Sequence, residues 1–225
     1  MKILFFDTTQ DWINISLSII EINSGSEFKI IYEKIEFCPK ESSYRLVSEI
    51  QKALITFDWR KPDRIVCLTG PGSFTGIRIS VSTARNLSQL WNIPVIGIDS
   101  LDAYATYYFK KFSLPIFLAL DGKQNKYYFG HKDSFAYSGS SDLDEEGILK
   151  EIEKFEKNKH LFVFSGKIPI CFPNNSIKIE ETLPQSMHIL KDNIEEIMKL
   201  QFDESNFQHL TPNYIRGSYI ETNKK

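Results

Sequence analysis

The hydrophobic and polar positions change period several times along this chain, and each change marks an element. Residues 3–6 (Ile-Leu-Phe-Phe) are wholly apolar, as in a strand buried on both faces, and Asp7-Thr8-Thr9-Gln10-Asp11 follows as a polar turn. From Trp12 to Ile20 the pattern alternates, with Ile13, Ile15, Leu17 and Ile19 on one side and Asn14, Ser16 and Ser18 on the other. That alternation predicts a half-buried strand. A turn at Asn23-Ser24-Gly25-Ser26 leads to a third β-rich segment over 28–37, completing a meander. Leu46, Ile50, Ala53 and Phe57 then recur at helical spacing, with Val47 and Leu54 alongside. Residues 65–68 read as a buried strand. Ile77, Val81, Ala84 and Leu87 mark a helix reaching about Trp91, and 94–98 is a further strand. Ser100 can cap a helix that begins at Leu101.

The second half repeats the order. Residues 115–120, 126–130 and 134–137 read as strands, Ile148, Ile152 and Phe155 as a helix, and 161–164 as a strand. One more strand is expected over 177–180. A late helix carries Met187, Leu190, Ile194, Ile197 and Met198 on one face. No residue-level repeat is visible, only this order of elements. A duplicated three-strand-then-helix unit predicts an α/β protein of the actin-like, ribonuclease-H-like (ASKHA) class, a duplicated βββαβα fold in two lobes. The boundaries expected are 1–105 for the first lobe and 106–204 for a more divergent second lobe, with the tail 205–225 packing back on the first.

Composition narrows the class further. The 225 residues are 42% hydrophobic and 25% charged, with a net charge of −2. A chain of this length buries about 70% of its unfolded surface and needs no disulfide or metal to fold. A pI near 6.1 gives no basic field able to hold nucleic acid through phosphates alone. Cys38, Cys67 and Cys171 are scattered and odd in number, which fits a reducing compartment. No stretch approaches 18 consecutive apolar residues, and the first apolar run is too short for a signal peptide. A soluble cytoplasmic protein with no membrane partner is expected.

The densest chemical signal is Gly70-Pro71-Gly72-Ser73-Phe74-Thr75-Gly76-Ile77-Arg78, between a buried strand and a helix. Such a loop either presents backbone N–H groups at a helix N-terminus or is a turn kept tight so the helix can pack closely. Each catalytic template fails by register. A Walker A loop would need its glycines one residue closer and a lysine; the dinucleotide fingerprint would need glycine at Thr75; a nucleophile elbow would need serine centred between glycines. No catalytic residue is therefore assigned. His131, His160, His188 and His209 are at least 21 residues apart, so no helical pair holds a metal, and no metal or cofactor is expected. Asp7 and Asp121 each follow an apolar strand, where actin-type ATPases place Mg²⁺-organising acids. Asp7, Thr8 and Asp121 thus form a candidate vestigial nucleotide site, or else acids that cap strand ends. Thr8 and Thr9 stand where a phosphate would want glycine.

Taken together, Leu4-Phe5-Phe6-Asp7-Thr8-Thr9, the stretch from Thr69 to Ile79 and Pro94-Val95-Ile96-Gly97-Ile98-Asp99-Ser100-Leu101 resemble the bacterial TsaB (YeaZ-like) family. The match covers residues 1–105. Beyond them it rests on Asp121 before Tyr127-Tyr128 and on Pro212-Asn213-Tyr214-Ile215-Arg216. The chain departs from the family pattern at Glu41-Ser42 and Asp121-Gly122-Lys123, and over 135–147. The resemblance implies a non-catalytic subunit of tRNA threonylcarbamoyladenosine (t6A37) synthesis that pairs with the transferase TsaD, with TsaE joining the assembly and tRNA contacted indirectly. TsaD is understood to hold its metal through histidines on a helix, and this chain has no such pair.

The helix after the glycine loop carries small residues and no acid between Gly76 and Ser88. Ser80, Thr83, Ala84 and Ser88, with Arg85, form a candidate face for a partner helix, either TsaD or a second copy in a homodimer, because small side chains permit close approach. Packing on the chain's own sheet is the competing use. The competing functions are a metal- or nucleotide-dependent hydrolase of the same fold, and direct tRNA binding. The interleaved lysines and glutamates over 150–159 read as a solvated helix face and argue against the latter.

Overall fold

In the computed structural model, residues 1–21, 27–134, 136–156, 159–201 and 204–216 are described. The turn expected at 23–26, Phe135 and the end of the tail lie outside them. Contacts divide the chain into two compact units, Met1–Asp99 with Pro184–Pro212, and Ser100–Leu183 with Asn213–Lys225.

The first unit is built on β1 (Lys2–Asp7), β2 (Trp12–Glu21), β3 (Glu27–Phe37), β4 (Arg64–Leu68) and β5 (Val95–Ile98), with α1 (Ser42–Thr56) and α2 (Phe74–Trp91) between them. Sheet order is β3-β2-β1-β4-β5. β2 is antiparallel to β1 and β3, whereas β4 runs parallel to β1 and β5. The apolar run of β1 sits at the centre of this sheet with Ile3 to Phe6 wholly buried, as a strand covered on both faces requires. Leu4, Phe6, Ile13, Ile15 and Leu17 pack against Leu46, Ile50 and Ala53 of α1 and Ile77, Val81 and Ala84 of α2.

β2 departs from the half-buried strand that its alternation predicts. Asn14, Ser16 and Ser18 are buried as fully as their apolar neighbours. The cover comes from far along the chain: α5 (Ser186–Asp192) packs on β2 and β3. The Asn14 amide donates to the Pro184 carbonyl at 3.1 Å, and Ser186 donates from its amide and hydroxyl to Glu33 Oε1 at 2.7 and 2.5 Å. This covering segment explains why 184–204, expected in the second lobe, clusters with the first unit. The single late helix expected there is two, α5 and α6 (Ile194–Lys199), broken at Asn193, whose side chain donates to the Ile189 carbonyl. A short α7 (Glu204–His209) follows, and Leu210 joins the core.

The second unit opens with α3 (Ser100–Phe112) and continues through β6 (Ile116–Asp121), β7 (Lys126–Lys132), β8 (Tyr137–Asp144), α4 (Glu145–Ile152), β9 (Leu161–Ser165) and β10 (Ile177–Lys178). Read from the other edge, its sheet is β8-β7-β6-β9-β10, again third, second, first, fourth, fifth. Its directions match as well: β7 antiparallel to β6 and β8, β9 parallel to β6 and β10. The same topology twice in one chain is the actin-like, ribonuclease-H-like arrangement.

The second copy is abbreviated. Where α2 links β4 to β5, residues 166–176 link β9 to β10 without a helix, and β10 is two residues long before a 3₁₀ turn at Ile179–Glu181. The strand expected at 134–137 instead begins at Tyr137 and runs through the polar Ser-Gly-Ser-Ser-Asp stretch to Asp144. β8 is an edge strand, and polar residues protect an edge from pairing with another chain. The helix expected to reach Phe155 ends at Ile152.

Candidate functional site

The glycine loop follows β4 and starts α2. Thr69 Oγ1 donates to the Ile98 carbonyl at 3.2 Å, which ties the end of β4 to β5. Gly70 has φ of 103°, a conformation that glycine adopts without strain. Ser73 is the N-cap of α2, its hydroxyl accepting from the Gly76 amide at 3.3 Å. The other glycines are explained by closeness to the first hairpin. A Cβ on Gly72 would collide with the Thr9 carbonyl, and one on Gly76 with the Thr8 carbonyl. The Ser73 amide donates to the Thr9 carbonyl at 2.6 Å, and Thr8 Oγ1 donates to the Gly76 carbonyl at 2.8 Å. The Ser73 amide and the Thr8 hydroxyl thus tie the loop to the first hairpin.

Asp7 is committed in the same way. It is 1% exposed; Oδ1 accepts from the Thr9 amide and Thr9 Oγ1, both at 2.7 Å, and Oδ2 accepts from Trp12 Nε1 at 3.2 Å. Both oxygens hold the hairpin together.

The second unit repeats this arrangement at residue level, an echo that the sequence order alone did not reveal. Asp121 ends β6 as Asp7 ends β1, and Asp121 Oδ1 accepts from the Lys123 amide at 2.8 Å, two residues on, as Asp7 does from Thr9. Ser165-Gly166 ends β9 as Thr69-Gly70 ends β4, and Gly166 also has positive φ, 75°. Here too the donors are taken. Ser165 Oγ and the Gly166 amide both donate to Glu180 Oε1, at 2.9 and 2.8 Å. Asp121 Oδ2 pairs with Lys123 Nζ at 2.9 Å. Burial works to raise the Asp121 carboxyl, but the Lys123 ammonium and amide outweigh it and hold the group below its ordinary value. Arg216 braces this end, donating to Asp142 through two nitrogens at 2.8 and 2.5 Å and to the Gly122 carbonyl at 3.0 Å.

The candidate partner face on α2 divides. Ser80, Ala84 and Ser88 are buried in the first unit, and two of them are bonded there: Ser80 Oγ donates to the Leu68 carbonyl at 2.8 Å and Ser88 Oγ to the Ile93 carbonyl at 2.6 Å. Their small size serves packing on the sheet, so the expected assignment of these three to a partner is corrected. Thr83 and Arg85 are half-buried. The residues α2 shows to solvent are Phe74, Thr75, Arg78, Ser82, Asn86, Gln89 and Leu90, with the Arg78 guanidinium 3.8 Å from the Phe74 ring centroid. The neighbouring α1 exposes Tyr44 (67%), Val47 (56%) and Ile55 (70%), with Ser48 and Gln51 between them. Residues 44, 48, 51 and 55 lie along one line of the helix, and none is charged.

Among the described residues no group of three or more histidine, cysteine, aspartate or glutamate side chains could hold a metal, so the histidine-bound metal that the resemblance gives TsaD finds no fitting donor set here. No described helix is long and apolar enough to cross a membrane. The four histidines are not all apart, however: His131 and His160 meet through their Nε2 atoms at 3.1 Å.

Residues 34–209 match the family model for TsaD, tRNA N6-adenosine threonylcarbamoyltransferase. The chain belongs to this family. Among relatives in the TsaD family, it is 29% identical over 187 residues to the tRNA threonylcarbamoyladenosine biosynthesis protein TsaB of Buchnera aphidicola subsp. Schizaphis graminum, covering 79% of this chain and 85% of that one. It is 31% identical over 134 residues to the protein of the same name from Bacillus subtilis, and 28% over 132 residues to that from Escherichia coli. Those alignments cover 58% and 57% of this chain and span about half, 54%, of each relative. Two solved Pseudomonas aeruginosa structures share the fold. One is described as an uncharacterized protein with similarity to peptidase YEAZ (TM-score 0.70, 17% identity, 96% of this chain and 99% of that one). The other is YeaZ (TM-score 0.69, 16% identity, 95% and 99%).

Proposed function

We propose that this chain is the non-catalytic TsaB-type subunit of tRNA threonylcarbamoyladenosine synthesis, supporting a TsaD transferase. The observation that carries this reading is the commitment of both Asp7 oxygens to Thr9 and Trp12, and of the Ser73 amide to the Thr9 carbonyl, in a chain whose relatives bear the TsaB name. A fold that elsewhere serves to hold a nucleotide here uses the same positions to fasten its hairpins. The competing reading, a metal- or nucleotide-dependent hydrolase, needs Asp7 and Asp121 as free metal-organising carboxylates, and their hydrogen bonds argue against it.

The partner surface that we propose is the outer face of α1 and the exposed side of α2: Tyr44, Val47 and Ile55 with Phe74, Arg78 and Leu90. Uncharged apolar positions flanked by an arginine are the composition of an interface core. TsaD is the occupant proposed, with a second copy of this chain competing for the same face and TsaE joining the assembly. tRNA is held by the partners, since the net charge of −2 offers no field of its own. A role in tRNA modification supports a cytoplasmic location.

Reconstitution tests the proposal. With cognate TsaD, the remaining pathway proteins and tRNA, t6A measured by mass spectrometry of digested tRNA should fall at least tenfold when this chain is omitted. Undiminished t6A without the chain, or t6A made by the chain without TsaD, would overturn it.

A further inference from the structure

Two of the four histidines form a half-buried couple in the second unit. His131 lies near the end of β7 and is 5% exposed. His160 immediately precedes β9. Their Nε2 atoms are 3.1 Å apart, and His160 Nδ1 lies 2.9 Å from the Glu156 carbonyl oxygen. That carbonyl can only accept, so Nδ1 of His160 carries a proton. With His160 neutral, its Nε2 is then an acceptor, and the proton between the rings belongs to His131. One proton fastens the contact and its direction is fixed.

The surroundings are aromatic. Phe117 stacks on His160 with centroids 4.3 Å apart, and Phe155 lies 4.1 Å from the His131 ring. The charged groups bearing on the couple are few. Asp133, two residues beyond His131, favours its cation; the Glu156 carboxylate is paired with Lys159 at 2.5 Å. β6 and β9 bring Phe117 and Phe162 to the cluster. Among the described residues no third ligand-bearing side chain makes the pair a metal centre.

Acidification acts on this arrangement in two steps. A first added proton places a net charge among the phenylalanine rings, which burial opposes. A second would set N–H against N–H across 3.1 Å and break the contact. We propose that the His131–His160 couple is a proton-sensitive clasp that holds His160, at the entry to β9, against β7: the first proton weakens it and the second releases it. Burial, the adjacent His160 and the opposing pull of Asp133 leave the His131 imidazole below its ordinary value. Unfolded protein therefore takes up the proton at a higher pH than folded protein does, and stability falls as pH drops below about 6.5, toward the lower folded midpoint.

The test is an NMR titration of the imidazole nitrogens of the full chain from pH 8 to 5. His131 should stay neutral below the ordinary histidine value of about 6.5, and its Nε2 should carry the proton throughout the neutral range. In parallel, the urea midpoint of the wild type should fall between pH 7 and 5.5, and His160→Phe, which keeps a ring in the cluster, should lose at least half of that dependence. Should His160→Phe fail to fold, the wild-type titration still decides. A His131 midpoint at or above the ordinary histidine value of about 6.5, or a folded His160→Phe with the wild-type pH profile, would overturn the clasp.

Discussion

Thr8 and Gly76 are fastened from both sides: Thr8 Oγ1 donates to the Gly76 carbonyl at 2.8 Å, across 68 residues, and the Thr8 carbonyl lies where a Cβ on Gly76 would stand. The first hairpin and the start of α2 therefore meet backbone to backbone, and the glycines of the loop are there to permit it. Gly76→Ala should cost about 2–3 kcal/mol, since neither backbone segment can yield without breaking its own bonds. Thr8→Val, which removes the hydroxyl donor to the Gly76 carbonyl, should cost about 1 kcal/mol. Urea unfolding followed by the fluorescence of buried Trp12 measures both. Gly139→Ala is the control, because nothing lies within 4 Å of a Cβ there. If Gly76→Ala were as stable as that control, the close approach would not be what the loop is for.

The buried side of α2 and the exposed side of α1 make opposite predictions. Ala84 is wholly buried, so Ala84→Glu should unfold the first unit by placing an unpaired charge in its core. Tyr44→Glu and Ile55→Glu, on the exposed side of α1, should leave the urea midpoint within about 0.5 kcal/mol of wild type. The same pair should weaken retention of TsaD at least tenfold in a pull-down. Folded double-variant protein that still binds TsaD fully would move the partner surface elsewhere.

Much of this was legible along the chain, and the exceptions have a common physical origin. The core face of α2 and the buried run of β1 follow from their own local patterns, the one at helical spacing and the other wholly apolar. The polar side of β2 misleads because its cover, α5, arrives some 170 residues later, as the bond between Asn14 and the Pro184 carbonyl shows. Ser80, Ala84 and Ser88 are small for the reason the sequence suggests, close approach, but what approaches is the unit's own sheet. His131 on β7 and His160 just before β9 stand 29 residues apart, a separation that no local spacing rule covers. The residue-level echo between Asp7 and Asp121 rests on backbone bonds and φ angles, which leave only an aspartate and a Ser/Thr-Gly as their trace.

A third prediction concerns acid. Glu49, 7% exposed on α1, accepts from Lys34 Nζ at 2.7 Å and from Lys52 Nζ at 2.8 Å. These two bonds outweigh burial and bring its carboxyl down to about 2. Because the folded value lies below the unfolded one, the stabilisation is complete above about pH 4.5 and fades as pH falls toward 2. Glu49→Gln should therefore cost about 1–2 kcal/mol at pH 7, a figure reduced for the exposure of Lys52. The gap between variant and wild type should narrow steadily below pH 4.5 in urea titrations at fixed ionic strength. A gap independent of pH would mean that shape rather than charge makes Glu49 matter.

Asp7 offers the sharpest separation between a structural acid and a catalytic one. Its two oxygens receive three hydrogen bonds from Thr9 and Trp12, and an asparagine in its place must turn an N–H toward one of those donors. Asp7→Asn should thus cost about 2–3 kcal/mol, the penalty of a buried donor facing a donor. A Mg²⁺-organising carboxylate would behave otherwise. It would be relieved by the same substitution, because a buried charge waiting for a cation destabilises the empty protein, and the wild type would gain stability from Mg²⁺ and ATP by mass action, about 2.7 kcal/mol at a hundredfold excess over Kd. We expect the melting temperature of the wild type to be unmoved by millimolar ATP and Mg²⁺, and that of Asp7→Asn to be lower with or without them. A nucleotide-dependent rise in the wild type that vanishes in Asp7→Asn would make Asp7 a ligand and return the hydrolase reading to contention.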